Sequence, residues 1–149
     1  MNGPYLALIL VTGSRSWDDV LTLNDALLET WHDATQDGHC GITVMHGGAV
    51  GADHLAGIWA RAHQEDGVGH DQIDAQWTDC ANNCPPGHRK ERRGYTWCPT
   101  AGHRRNQQMV NAGPLLCLAF HRGQSTGTAD CIRRAETAGI PVRRYEEAA

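Results

Sequence analysis

At 149 residues, 40% of them hydrophobic, the chain has the length of one domain with a real core. Its longest apolar runs, "LALILV" and "LLCLAF", fall far short of the roughly 20 residues that cross a bilayer, and no basic, cleavable leader precedes the first of them, so a cytoplasmic protein without membrane contact is expected. The net charge of -4 hides an asymmetry: residues 1–79 carry 12 acidic and 2 basic side chains and residues 80–149 carry 5 and 11, while Lys90 as sole lysine leaves no Gly-Lys-Ser/Thr phosphate loop. The basic half is either a solvated surface or a gathering of arginines toward an anionic ligand.

In chain order, "YLALILVTGSR" is a continuous apolar run ending at Gly13, the mark of a strand buried on both faces. Leucines at 21, 23, 27 and 28 predict a helix from Trp17 to about Thr35, capped by Ser16 or Asp18. "ITVMHGG" predicts a second strand, and Ala52, Leu55, Ile58 and Trp59 form a helical stripe within 51–65. "DQIDAQW" alternates Ile73, Ala75 and Trp77 with polar residues, predicting a third strand. Residues 78–101 show no periodicity and read as an inserted loop within a single domain of 1–149. "GHRRNQQMVNAG" then predicts a helix, "LLCLAF" a strand, "TADCIRRAETAG" a helix and "IPVRRY" a last strand. Such alternation specifies an α/β fold: a single Rossmann-like domain with a mostly parallel five-stranded sheet and helices on both faces.

Ligands of open parallel sheets sit beyond the carboxyl ends of the strands, where strand order reverses. Glycine-rich turns fall on that rim after strands one, two and four: "TGSRS", "HGGAVGAD" and "HRGQSTGTAD". A glycine turn leading into a helix N-terminus suits a phosphate, because unpaired N–H groups and a positive partial charge converge there. Gly13, Ser14 and Arg15, then Gly47, Gly48 and Gly51, then Gly123, Gly127 and Thr128, are the candidate ligand contacts. Asp53 either accepts hydrogen bonds from a ribose or caps its helix, and His46 and His121 are proton carriers or structural histidines. "GGAVGA" is not G-x-G-x-x-G, since Ala49 takes the third position, so no NAD or FAD is expected.

The insert spaces Cys80, Cys84, His88 and Cys98 as C-x3-C-x3-H-x9-C, with His103 in reserve. Zinc takes four sulfur or nitrogen ligands in a tetrahedron, and a loop of this length without periodicity needs a staple. A closed structural zinc site is therefore predicted; a disulfide, disfavoured in a reducing compartment, and an unstapled loop are the alternatives. Arg89, Arg92 and Arg93 would then sit near the rim as a lid over an anion. Cys117 and Cys131 occupy apolar positions and read as core.

Taken together, "LVTGSR", "HGGAVGAD", "HRRNQQMV", "CLAF", "STGTADCIRRA" and "GIPV" resemble the SLOG superfamily, the Rossmann-like group that includes LOG and DprA/Smf proteins, and within it the YspA-like, YpsA-related branch of actinobacteria and their phages. The resemblance covers nearly the whole chain outside the insert. It implies binding of a nucleotide or nucleotide-derived ligand, as a sensor, scavenger or component of a conflict system. In the LOG branch it implies hydrolysis of the N-glycosidic bond of nucleoside 5'-monophosphates. The LOG motif P-G-G-x-G-T-x-x-E matches here at Gly127 and Thr128, but Cys131 stands at the glutamate, and Asp130, one residue away on a helix, points about 100° elsewhere. In the LOG motif H-x-R-K-x-x-M, "HRRNQQM" places Arg105 on the arginine and Asn106 on the lysine, which makes both candidate ligand contacts. The resemblance to DprA admits single-stranded nucleic acid, but the net negative charge and lack of an aromatic and basic groove argue against it. It also admits a homo-oligomer.

Overall fold

Strand β1, Leu6–Gly13, shows how the sheet is built: Ala7, Ile9 and Val11 enter one core cluster, while Leu8 and Leu10 face a second. A strand alternates its side chains, so a continuous apolar run demands cover on both faces. Helices α1, Val20–Gln36, and α2, Ala52–Ala62, cover the first face, and α3, Ala101–Asn111, and α4, Thr126–Thr137, cover the second. The computed structural model describes residues 5–147; residues 1–4 and 148–149, which the single-domain reading of 1–149 includes, lie outside them.

The five-stranded sheet is parallel throughout, in the order β3-β2-β1-β6-β7, with β2 at Gly41–His46, β3 at Gly69–Gln72, β6 at Leu116–Arg122 and β7 at Val142–Glu147. From β1 the chain winds outward through β2 and β3, then returns to place β6 on the other side of β1. The order therefore reverses between β1 and β6, and the turns leaving their carboxyl ends diverge to open a crevice. Among the described residues no helix is long and apolar enough to cross a membrane.

Local chemistry moves several boundaries. Helix α1 begins at Val20 because Asp19, rather than Ser16 or Asp18, caps it, accepting from the Thr22 amide at 3.1 Å and the Thr22 hydroxyl at 2.6 Å. Strand β3 stops at Gln72 because β2, its one neighbour among the described residues, leaves the sheet after His46; the Ile73 amide makes a last bond to the His46 carbonyl, and Ala75 and Trp77 continue outside the ladder. The stretch from 78 to 100 is not wholly irregular: β4, Lys90–Arg92, and β5, Tyr95–Trp97, pair as an antiparallel hairpin. Arg93 and Gly94, both at positive φ, supply its two-residue turn.

Candidate functional site

The turns after β1 and β6, with α3 and the first turn of α4, enclose a cleft of about 620 Å³ at the switch point. That volume lies in the range of small-molecule sites. Of the candidate ligand contacts singled out from the sequence, Gly13, Ser14, Arg15, Asp53, Arg105, Asn106, Gly127 and Thr128 line it, whereas Gly47, Gly48, Gly51 and Gly123 do not.

The second glycine turn is occupied from within. Asp53 folds back from α2 to accept from the Gly47 and Ala49 amides at 3.1 and 3.3 Å, and the Gly48 amide donates to His46 Nδ1 at 2.9 Å. The Ala52 amide, at the start of α2, goes to the Ser14 carbonyl. Gly51, at φ 81°, seats the turn directly on the Ser14 and Arg15 backbone, where any side chain would collide. At Gly47 the missing side chain makes room for the Arg105 guanidinium, whose Nη1 donates to the Gly47 carbonyl and, at 3.4 Å, to the Ile73 carbonyl. Arg105 thus ties the turn to α3. Its Nε donates to Asn106 Oδ1, which leaves Nη2 without a protein acceptor among the described residues.

The first turn of α4 is open instead. Ser125 caps it, accepting from the Thr128 amide at 3.3 Å, so the Thr126 and Gly127 amides, which helix geometry leaves without intrahelical partners, stand at the cleft. A side chain added at Gly127 would meet nothing within 4 Å. Arg15 contributes an exposed guanidinium to the same cleft. The buried Ser14 is chiefly a joint: its hydroxyl accepts from the Arg122 amide at 2.9 Å. Asn106 is another, joining α3 to α4 through the Gly127 carbonyl at 3.3 Å and Asp130 Oδ2 at 3.0 Å.

Titratable groups of the site are shifted for clear reasons. Burial pushes the Asp53 carboxyl up to about 6, although two amide donors, Arg105 and Arg15 pull the other way. His46 Nδ1 accepts from Gly48, so its Nε2 carries the proton and donates to His70 Nε2, 2.7 Å away. Burial, then His70 and Arg61, push His46 down to about 4, which keeps it neutral. Burial works against ionisation of Asp130, yet Arg134 at 2.9 Å and Asn106 hold its carboxyl below the usual range. Cys131 is fully buried in the second core with Cys117.

Beside the cleft, Cys80, Cys84, His88 and Cys98 converge, with all four ligand atoms within 4.8 Å of one another. His88 Nε2 lies 3.3 Å from Cys80 Sγ and 3.2 Å from Cys98 Sγ, and Cys84 and Cys98 Sγ are 4.0 Å apart. Zinc–sulfur bonds of about 2.3 Å give a tetrahedron S···S edges of roughly 3.8 Å, so these four side chains can hold a metal ion. His103 lies on α3 and lines the cleft, and it is not one of the four converging residues. Burial opposes ionisation of Cys98, but hydrogen bonds with Thr100 and Arg104 bring its thiol down to about 5. Arg89 is tied into the insert by the Thr78 carbonyl and Thr96 hydroxyl at 2.8 and 2.9 Å, and neither it nor Arg92 or Arg93 lines the cleft.

Four contributors escaped the sequence reading. Arg104 Nη1 points to Cys98 and Cys84 at 3.5 and 3.7 Å while its Nη2 donates to the Asp79 carbonyl. Trp77 and the polar pair Gln124 and Ser125 line the cleft. The spacing of Ser125 before a helix offered the one available signal, an N-cap; the other three depend on contacts made across the insert or along a turn.

A family model described as the YspA, cpYpsA-related SLOG family matches residues 8–79. Gene 61 protein of Mycobacterium phage D29 is 40% identical over 138 residues, covering 92% of this chain and 94% of its own length. The X-ray structure of TM1055, a structural genomics target, is similar with a TM-score of 0.53 at 22% identity over 92% of this chain and 72% of that one, a likeness of fold.

Proposed function

The chain belongs to the YspA, cpYpsA-related SLOG family, and from that premise we propose that its cleft binds a nucleotide or nucleotide-derived ligand by the phosphate. The observation that carries this reading is the open first turn of α4, where the Thr126 and Gly127 amides and the Arg15 guanidinium share one cleft. A helix N-terminus and an arginine are complementary to the same anion. The α2 turn serves differently in this reading. With its amides taken by Asp53 and His46, it is a rigid wall that Arg105 braces.

Binding fits these side chains better than phosphoribohydrolase chemistry. At the position of the LOG glutamate Cys131 is sealed in the core, and the adjacent Asp130 is committed to Arg133, Arg134 and Asn106. Calorimetry with nucleoside 5'-monophosphates, followed by chromatography of the mixture, tests both halves. Binding with intact nucleotide recovered is expected, and Arg15→Ala should weaken it roughly ten-fold, the scale of one charge-assisted hydrogen bond. Release of free base would replace the binding reading with the enzymatic one.

The insert, in the same proposal, holds zinc at Cys80, Cys84, His88 and Cys98. Four protein ligands leave no open coordination position, so the metal's part is to fix the loop. Metal analysis of protein purified without added metal should find about one equivalent of zinc per chain, and a value near zero would remove the site.

A further inference from the structure

Trp77 is a large aromatic that a folded chain has left 40% exposed, and it lines the cleft. Neither the sheet nor either core cluster explains it, because β3 has ended at Gln72 and Trp77 belongs to neither cluster. Two contacts hold it in place. Its carbonyl accepts from the Cys98 amide at 2.7 Å, so a residue of the Cys/His group fixes the Trp77 backbone. Its indole rests on the first turn of α3 at Gly102, where an added Cβ would lie 3.1 Å from Cη2. Any larger residue at 102 would push the ring away.

Exposed aromatic surface beside phosphate-binding groups is the arrangement on which bases stack, since every base offers a π-face. We infer that Trp77 is the base-recognition platform of the cleft, so that its ligand is a nucleotide with an aromatic base rather than a sugar phosphate alone. The inference rests on the phosphate reading of the α4 turn and adds to it the other end of the ligand. Phosphate affinity belongs to Arg15 and the amides of Thr126 and Gly127, base affinity to Trp77. The insert, through Cys98, then places the surface that reads the base.

The test compares ribose 5-phosphate with the adenosine, guanosine, cytidine and uridine 5'-monophosphates on wild type, Trp77→Phe and Trp77→Ala by calorimetry. Wild type should bind at least one nucleotide roughly ten-fold more tightly than ribose 5-phosphate, within the range base–aromatic stacking supplies. Trp77→Ala should lose that preference with ribose 5-phosphate affinity unchanged, and Trp77→Phe should keep part of it. Tryptophan fluorescence should be quenched by the preferred nucleotide in wild type but not in Trp77→Phe. Equal affinity of wild type for ribose 5-phosphate and all four nucleotides would overturn the platform while leaving the phosphate site standing. Equal weakening of nucleotide and ribose 5-phosphate in Trp77→Ala would likewise reduce Trp77 to a structural residue. Failure of wild type to bind any of the five would overturn the phosphate reading and the platform with it.

Discussion

His46 and Asp53 stand at one turn with opposite electrostatic signs, and the consequence is measurable. His46, down to about 4, refuses in the native state a proton that an unfolded histidine takes below about pH 6.5. Stability from this group therefore falls as pH drops from 6.5 toward 4. Asp53, up to about 6, takes its proton in the native state before the unfolded carboxyl does, so its contribution rises as pH drops from about 6 toward 4. Each effect is about 3 kcal/mol at most, and over the shared window they largely cancel. Asp53→Asn keeps an oxygen for the Gly47 or Ala49 amide but removes the compensating titration. Urea unfolding of the variant should show a steeper loss between pH 6.5 and 4.5, by about 2 kcal/mol relative to wild type. Parallel curves for the two proteins would mean that Asp53 does not titrate in that window.

At the scale of elements, what could be read from the sequence was what local spacing dictates. Apolar runs and helical stripes gave the order of strands and helices, because a buried parallel strand and an amphipathic helix each write their cover into their own residues. The convergence of Cys80, Cys84, His88 and Cys98 was equally legible, since a spacing that suits zinc confines the side chains to one short loop. The hairpin β4–β5 was not, because Arg93-Gly94 lacks the Asn-Gly or Asp-Gly signal of a two-residue turn and the strands that it joins are only three residues each. Nor were the two roles of α3: Arg104 turns to the sulfur atoms and Arg105 to the Gly47 carbonyl. Adjacent helical residues diverge by about 100°, so one helix serves two centres, but only the folded partners say which arginine serves which. The glycines of "HGGAVG" carry an ambiguity of another kind. Their freedom is used at Gly51 and Gly47 for close packing against the β1 turn and Arg105, a use that a sequence pattern cannot distinguish from room for a phosphate.

The whole molecule divides into two parts stabilised by different means. Both core clusters draw on the sheet and its helices, and neither contains a residue between 74 and 108. The sheet should thus stand without the insert. The insert has no apolar core of its own: it is secured by its Cys/His group, by Arg89 on Thr78 and Thr96, and by Arg104 on Asp79. Removing a metal that binds only the native loop withdraws its binding free energy from the insert alone. Four trypsin sites, Arg89, Lys90, Arg92 and Arg93, are exposed there between His88 and Cys98. Chelation should accelerate tryptic cleavage at these residues by about ten-fold or more, as expected when a local opening equilibrium loses its ligand. Far-UV circular dichroism should change little, because the five-stranded sheet and its four helices lie outside the insert. Cys98→Ser should reproduce the chelated pattern without chelator, since it removes one of the four clustered ligand atoms while keeping the backbone amide that holds Trp77. Identical cleavage rates with and without chelator would show that the hairpin and its arginine ties hold the insert unaided, and an unfolded chain on chelation would show that the sheet depends on it.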